Sequence, residues 1–102
     1  MTQPLAGKLI LIVEDEPVFR SLMHTWLASL GATIVQAEDG VDALQKMAES
    51  KPDLMICDIS MPRMNGLQLV EHVRNQGEQL PILMISATEN MADIAKALRL
   101  GV

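Results

Sequence analysis

The chain has few of the residues that mark secreted, disulfide-bonded or nucleic-acid-binding proteins. It contains one cysteine and no tyrosine, and 2% of its 102 residues are aromatic. A single thiol excludes a disulfide framework and a cysteine metal site, and Cys57 lies in an apolar run, where a free cysteine is usually buried. Eight Lys and Arg against thirteen Asp and Glu give a net charge of -5, without a basic stripe for phosphate backbones. We therefore expect no direct nucleic-acid binding.

Long hydrophobic stretches are also absent. The N-terminus, MTQPLAGK, has no positively charged start leading into an uninterrupted apolar stretch, and no run reaches the length of a membrane span. We therefore expect a cytoplasmic protein that does not contact the membrane. With 49% hydrophobic residues in 102, the chain has the size and apolar content of one domain, spanning 1–102.

The chain instead shows a regular alternation of strand and helix patterns. Apolar runs predict strands at 8–13, 33–37, 53–57 and 81–85. Helical spacing between and after these runs predicts four helices, which is typical of a doubly wound parallel α/β sheet. The last helical pattern ends in Gly101-Val102, as if entering another strand, so we expect the domain to be incomplete at its carboxyl end.

The first predicted helix carries a wide apolar stripe, and we expect that stripe to face the sheet. Its members are Phe19, Leu22, Met23, Trp26, Leu27 and Leu30. Trp26 is accordingly interpreted as a packing residue. His24 and His72 lie on different helices without a convincing metal-ligand partner, and both are interpreted as solvated positions.

Polar side chains follow three of the predicted strands. Glu14 and Asp15 come after the first, Asp58 after the third and Ser86 after the fourth. The carboxyl ends of parallel strands share one edge, where α/β sheets bind ligands. Two like charges about 4 Å apart repel by roughly 4 kcal/mol at an effective dielectric near 20. The three carboxylates therefore predict a divalent cation, and oxygen ligands favour Mg²⁺.

A carboxylate beside Mg²⁺ can also act as a nucleophile toward phosphorus, and Asp58 is the better candidate because it ends the central strand. Structural roles are the alternative at each position. Asp15 or Glu16 ahead of Pro17 could start a helix, Asp58 could form a turn, and Ser86 could cap a helix. The coincidence of three strands ending in residues suited to one site favours the functional interpretation.

Three motifs, EDE at 14–16, CDISMPRMNG at 57–66 and ISA at 85–87, resemble the receiver domain of two-component response regulators. The resemblance implies a flavodoxin-like (CheY-like) fold of strand order 2-1-3-4-(5), here truncated before strand five and helix five. It further implies that Asp58 accepts phosphate. The implied metal site consists of Glu14, Asp15, Asp58 and the Ser60 carbonyl, and the implied switch and phosphoryl-binding residues are Ser86 and Ala87.

The resemblance also implies partners. A receiver takes its phosphoryl group from a histidine kinase or phosphotransfer protein, and it catalyses only its own phosphoryl transfer and dephosphorylation. A partner-facing surface is expected on helix four, although a solvated charged face is the alternative. Its exposed candidates are Glu89, Asp93, Lys96 and Arg99.

Segments 1–8, 61–75 and 86–102 are similar to a branch of the family whose members deliver the general-stress sigma factor, sigma-S, to the ClpXP protease. The resemblance therefore implies sigma-S and ClpXP as partners of a longer parent protein with an effector region.

Two alternatives concern the same acidic residues. A haloacid-dehalogenase-type phosphatase needs a second Asp two residues after the nucleophile, and this chain has Ser60 there. A phosphorylation-independent pseudo-receiver, acting as a protein-binding scaffold, stays open. The absence of a fifth-strand Lys predicts weak switching, and an uncovered sheet edge predicts poor stability or self-association.

Overall fold

A four-stranded parallel sheet with helices on both faces forms the fold. The computed structural model describes residues 3–58 and 64–85. Strands and helices alternate as β1 (Leu9–Val13), α1 (Pro17–Ser29), β2 (Thr33–Ala37), α2 (Gly40–Glu49), β3 (Leu54–Asp58), α3 (Gly66–Asn75) and β4 (Ile82–Ile85). The strand order is β2-β1-β3-β4, which confirms the predicted doubly wound topology. The fourth predicted helix lies outside the described residues.

Alternating side chains divide the sheet into two faces, each with its own core. One face packs beneath α2 and α3 and includes Leu11, Met55 and Cys57, all almost completely buried. The other packs beneath α1 and includes Ile12 and Ile56. The non-alternating apolar runs of β1 and β3 follow from this two-sided cover.

Polar residues fix where each described helix begins. Glu16 caps α1, since its carboxylate accepts hydrogen bonds from the Val18 and Phe19 amides at 3.3 and 2.7 Å. Asp39 caps α2 in the same way through the Asp42 amide at 2.8 Å. Asn65 and Gln68 form a reciprocal capping box at the start of α3. Each of the three described helices therefore begins at a side-chain cap.

The packing of α1 differs from the sequence prediction. Leu27 is buried and Met23 packs against the sheet core, whereas Leu22 and Trp26 are 64% and 63% exposed. Phe19 is exposed as well. The predicted stripe is wider than the surface that α1 covers, which is the part of the sheet formed by β1 and β2. The interpretation of Trp26 as a packing residue is therefore wrong for this structure.

The short segment before β1 closes the amino edge of the sheet. The Leu5 amide donates to the Leu30 carbonyl at 2.9 Å, and the Leu5 side chain packs against the core beneath α1. Gly31, with φ of +101°, lies in the left-handed region that ends α1. Within 3–58 and 64–85, no helix is long and apolar enough to cross a membrane.

Candidate functional site

Three carboxylates meet at the carboxyl edge of the sheet. Glu14 follows β1, Asp15 comes next, and Asp58 ends β3, which is the neighbour of β1. One carboxylate oxygen from each residue lies within 4.8 Å of the others. Glu14 and Asp58, 44 positions apart in the chain, are thus brought together because their parallel strands pair in register, with Val13 opposite Cys57. The juxtaposition expected from the sequence is present.

Glu14 is the buried member of this cluster, with 6% of its surface exposed. The pKa of Glu14 is raised from 4.5 to about 8, mainly by loss of solvation and also by a hydrogen bond with Asp58 and the charges of Asp58 and Asp15. The Asp15 amide, 3.1 Å from Glu14 Oε2, opposes this shift. Without a cation, the cluster therefore retains a proton on Glu14 near neutral pH.

The structure separates the two roles that the sequence left open for the acidic residues after β1. Glu16, rather than Asp15, caps α1. Asp15 is exposed and contributes an oxygen to the cluster. The capping interpretation therefore applies to Glu16, and Asp15 is available to bind a cation.

Asp58 is half-buried at the end of an interior strand, next to Cys57 on the same edge. Burial, together with the charges of Asp58 and Glu14, raises the pKa of the Cys57 thiol to about 12. The thiol is thus unreactive, and Asp58 is the group on β3 that can meet a ligand. This carboxylate has both the exposure and the acidic neighbours expected of a metal-assisted nucleophile.

Several predicted site residues lie outside the described part of the chain. They are Ser60, Ser86, Ala87, Glu89, Asp93, Lys96 and Arg99. Their expected roles stay predictions.

The sequence analysis missed Arg20, which touches the backbone of the site. Arg20 on α1 donates from Nη1 to the Glu14 carbonyl at 2.8 Å and from Nε to Gln36 Oε1 at 3.1 Å. His24 is half-buried and contacts the Gln36 amide nitrogen, so its interpretation as a solvated residue is wrong. His72 is exposed, as expected. No periodic pattern in the sequence marked these contacts, because a half-buried polar side chain does not extend the apolar stripe of α1.

The wound parallel sheet with carboxylates after β1 and at the end of β3 defines a receiver domain. The family model described as "Response regulator receiver domain" matches residues 10–102. The chain therefore belongs to this family, as the three motifs indicated.

More particular likenesses are found among curated proteins. The chain is similar to "Regulator of RpoS" of Escherichia coli strain K12, with 74% identity over 102 residues, which is 100% of this chain and 30% of that protein. This finding confirms the expected likeness to the regulator of RpoS, RssB. The chain is also similar to "Response regulator MprA" of Mycobacterium ulcerans, with 35% identity over 90% of this chain and 40% of that protein. The chain thus spans less than half the length of either relative.

Solved structures show the same fold. Chemotaxis protein CheY4 of Vibrio cholerae superposes with a TM-score of 0.85 at 29% identity, over 96% of this chain and 82% of that one. Response regulator TrrA of Thermotoga maritima gives a TM-score of 0.81 at 33% identity, over 89% and 79% of the two chains.

Proposed function

We propose that this receiver domain accepts a phosphoryl group on Asp58 in a reaction that requires Mg²⁺. The observation that carries the proposal is the meeting of Glu14, Asp15 and Asp58 within 4.8 Å at one edge of the sheet. Capping or turn formation explains single acidic residues, but it does not explain three that converge from two strands.

The donor set fits a hard divalent cation. Three carboxylate oxygens lie close together, and burial together with the charges of Asp58 and Asp15 raises the pKa of Glu14 to about 8. Mg²⁺ takes oxygen ligands and commonly retains positions for phosphate oxygens. Glu14, Asp15 and Asp58 would hold it, with the Ser60 carbonyl as a further proposed ligand. When bound, the ion offsets negative charge on the carboxylates and the transferred group.

The proposed chemistry is a simple displacement. An Asp58 oxygen attacks the phosphorus of a phosphohistidine on a histidine kinase or phosphotransfer protein. The new phosphorus–oxygen bond forms as the phosphorus–nitrogen bond breaks, and the imidazole leaves with the bonding electron pair. Ser86 and Ala87 are the proposed contacts to the phosphoryl oxygens. The similar TrrA was solved in complex with Mg²⁺ and a beryllium fluoride, which supports the proposed metal requirement.

Intact mass spectrometry tests the acceptor directly. The protein is incubated with Mg²⁺ and acetyl phosphate, and we expect a mass increase of one phosphoryl group per chain. Asp58→Ala should abolish the increase because the nucleophile is removed. Asp53→Asn is the matched control, since Asp53 lies just before the same strand at its other end, where its carboxylate accepts a hydrogen bond from the Leu9 amide at 2.8 Å. An adduct that persists in Asp58→Ala would refute Asp58 as the acceptor.

The same experiment separates this proposal from the pseudo-receiver alternative. A pseudo-receiver would take no phosphoryl group with or without Mg²⁺, while still binding its protein partners. The three carboxylates favour a receiver that accepts phosphate over a pseudo-receiver. Clustered like charges repel one another, and a protein-binding scaffold does not require them.

For a longer parent protein, we propose the role of a cytoplasmic adaptor that presents sigma-S to ClpXP. The 74% identity to "Regulator of RpoS" supports this assignment. The proposed partner surface is the predicted fourth helix, through Glu89, Asp93, Lys96 and Arg99. Capture of purified sigma-S by the parent, with and without acetyl phosphate, tests the assignment; equal failure in both conditions would contradict it.

A further inference from the structure

A polar connection crosses the otherwise apolar layer between α1 and the sheet. The side chains of Arg20 and His24 on α1 meet Gln36 of β2. Gln36 lies opposite Ile12 in the register, on the face whose core is formed by isoleucines and Leu27. All three polar residues are half-buried. Such groups are costly to bury unless they are bonded, so their placement calls for a function.

The connection ends at the backbone of the acidic site. Arg20 Nη1 donates to the Glu14 carbonyl oxygen at 2.8 Å, while Nε of the same guanidinium donates to Gln36 Oε1 at 3.1 Å. The other end of the Gln36 amide contacts His24 Nδ1. Because the Glu14 amide also donates to the Ala37 carbonyl at 3.0 Å, both backbone groups of Glu14 are held from neighbouring elements.

We propose that Arg20 is a positioning residue for the metal site, fixing the turn that carries Glu14 and Asp15, and that Gln36 and His24 orient its guanidinium. The inference rests on the proposed function, since it assigns these residues to the same Mg²⁺ site. The planar guanidinium suits this task because it donates in two fixed directions at once. Outer-shell partners of this kind commonly change metal affinity strongly although they do not touch the metal.

The direction in which Mg²⁺ affinity changes when Arg20 is replaced distinguishes a positioning role from a simple electrostatic one. Arg20 carries a positive charge near a cation site, so charge alone predicts that its removal tightens Mg²⁺ binding. Positioning predicts the opposite. Arg20→Met keeps the aliphatic length and should weaken Mg²⁺ binding by about tenfold. Arg20→Lys keeps the charge but lacks the two-direction geometry, so it should also weaken binding, although less.

Arg74→Met is the matched control. Arg74 Nη1 also donates to backbone carbonyls, those of Glu78 and Leu80 at 3.1 and 2.8 Å, but these lie at the opposite edge of the sheet, ahead of β4. We expect this variant to be destabilised without a change in Mg²⁺ affinity. Titration calorimetry gives the affinities, and thermal unfolding gives the stabilities.

A metal-free measurement keeps the inference testable if the proposed function fails. Hydrogen exchange of the Glu14 and Asp15 amides should be about tenfold faster in Arg20→Met than in wild type, which corresponds to the loss of one charged hydrogen bond. Arg74→Met should leave both rates unchanged. If wild type binds no Mg²⁺, the proposed function fails, and the exchange rates alone decide whether Arg20 fixes the turn. Amide exchange in Arg20→Met that matches wild type would overturn the inference. So would an Mg²⁺ affinity of Arg20→Met equal to that of a wild type that binds Mg²⁺.

Discussion

Glu14 illustrates at the residue scale how a proton and a metal ion can compete for the same oxygens. Its carboxyl is buried, bonded to Asp58 and close to a second carboxylate. Each of these conditions disfavours the charged form, whereas a cation bound beside the carboxylate would favour it. If the site binds Mg²⁺ as proposed, metal binding will therefore be coupled to proton release from Glu14.

The coupling gives a pH dependence of defined sign. The pKa of Glu14 is raised from 4.5 to about 8, so between these values the metal-free folded protein holds a proton that the unfolded chain releases. The free energy of unfolding should thus fall as pH rises through this window. The affinity for Mg²⁺ should rise over the same window, because Glu14 is protonated in a smaller fraction of the molecules and fewer protons have to be displaced. Calorimetric titration and chemical denaturation at several pH values measure the two trends.

Glu14→Gln tests whether Glu14 causes this pH dependence, since glutamine has nearly the same shape and does not titrate. This variant should lose the fall in stability between pH 4.5 and about 8. Glu49→Gln, at an exposed position on α2, should retain it. A wild-type stability that is flat across the window would contradict the assigned pKa.

At the scale of elements, the entry to α2 is fitted closely to the chain that follows the Asp58 loop. The Gly40 amide donates to the Met64 carbonyl at 3.2 Å. A Cβ placed at Gly40 would lie 2.7 Å from Met64 Cβ, Cγ and O. Gly40 is therefore needed because Met64 lies so close to it. Its backbone conformation is ordinary helix and does not itself require glycine. The approach links α2 to the start of α3.

Gly40→Ala should therefore destabilise the fold by about 1–3 kcal/mol through overpacking. The usual effect of Gly→Ala at a compatible helix position has the opposite sign. Gln45→Ala, exposed on the same helix, should change the unfolding free energy by less than about 0.5 kcal/mol. Urea denaturation compares the variants; a stable Gly40→Ala would show that Met64 moves aside at little cost.

Elements differ in how far the sequence predicted them. The strands and the acidic site were predictable, because a buried parallel strand is a short apolar run and its carboxyl end has a fixed place. The contacts of α1 were not predictable from the sequence. Leu22 and Leu27 both belong to its apolar stripe, and only the tertiary fold decides which of them contacts β1 and β2. The contact of Arg20 with Glu14 was hidden for a related reason: a half-buried polar residue has no periodic signal.

On the scale of the whole molecule, apolar surface is distributed unevenly between the two faces of the sheet. The face beneath α2 and α3 is well covered, whereas Leu83 and Ile85 of β4 are exposed on the other face, together with Leu22 and Trp26 of α1. Exposed apolar patches favour association. This distribution agrees with the expected self-association, which stays a prediction.

Two leucines on α1 provide a matched pair for testing this distribution. Leu27→Ala should cost about 2–5 kcal/mol of unfolding free energy, because Leu27 is buried against the sheet. Leu22→Ala should cost less than about 0.5 kcal/mol and should reduce any concentration-dependent association seen by sedimentation. Equal destabilisation by the two substitutions would mean that Leu22 is covered in solution.

The burial of Cys57 also has a practical consequence for spectroscopy. Its thiol is inaccessible and its pKa is raised to about 12, so a maleimide dye at neutral pH has no reactive sulfur in the native chain. A cysteine introduced at exposed Lys8 would then be the single attachment point. That point is separated from the acidic site by the five-residue β1, roughly 16 Å, which allows a fluorophore to report ligand binding without obstructing it.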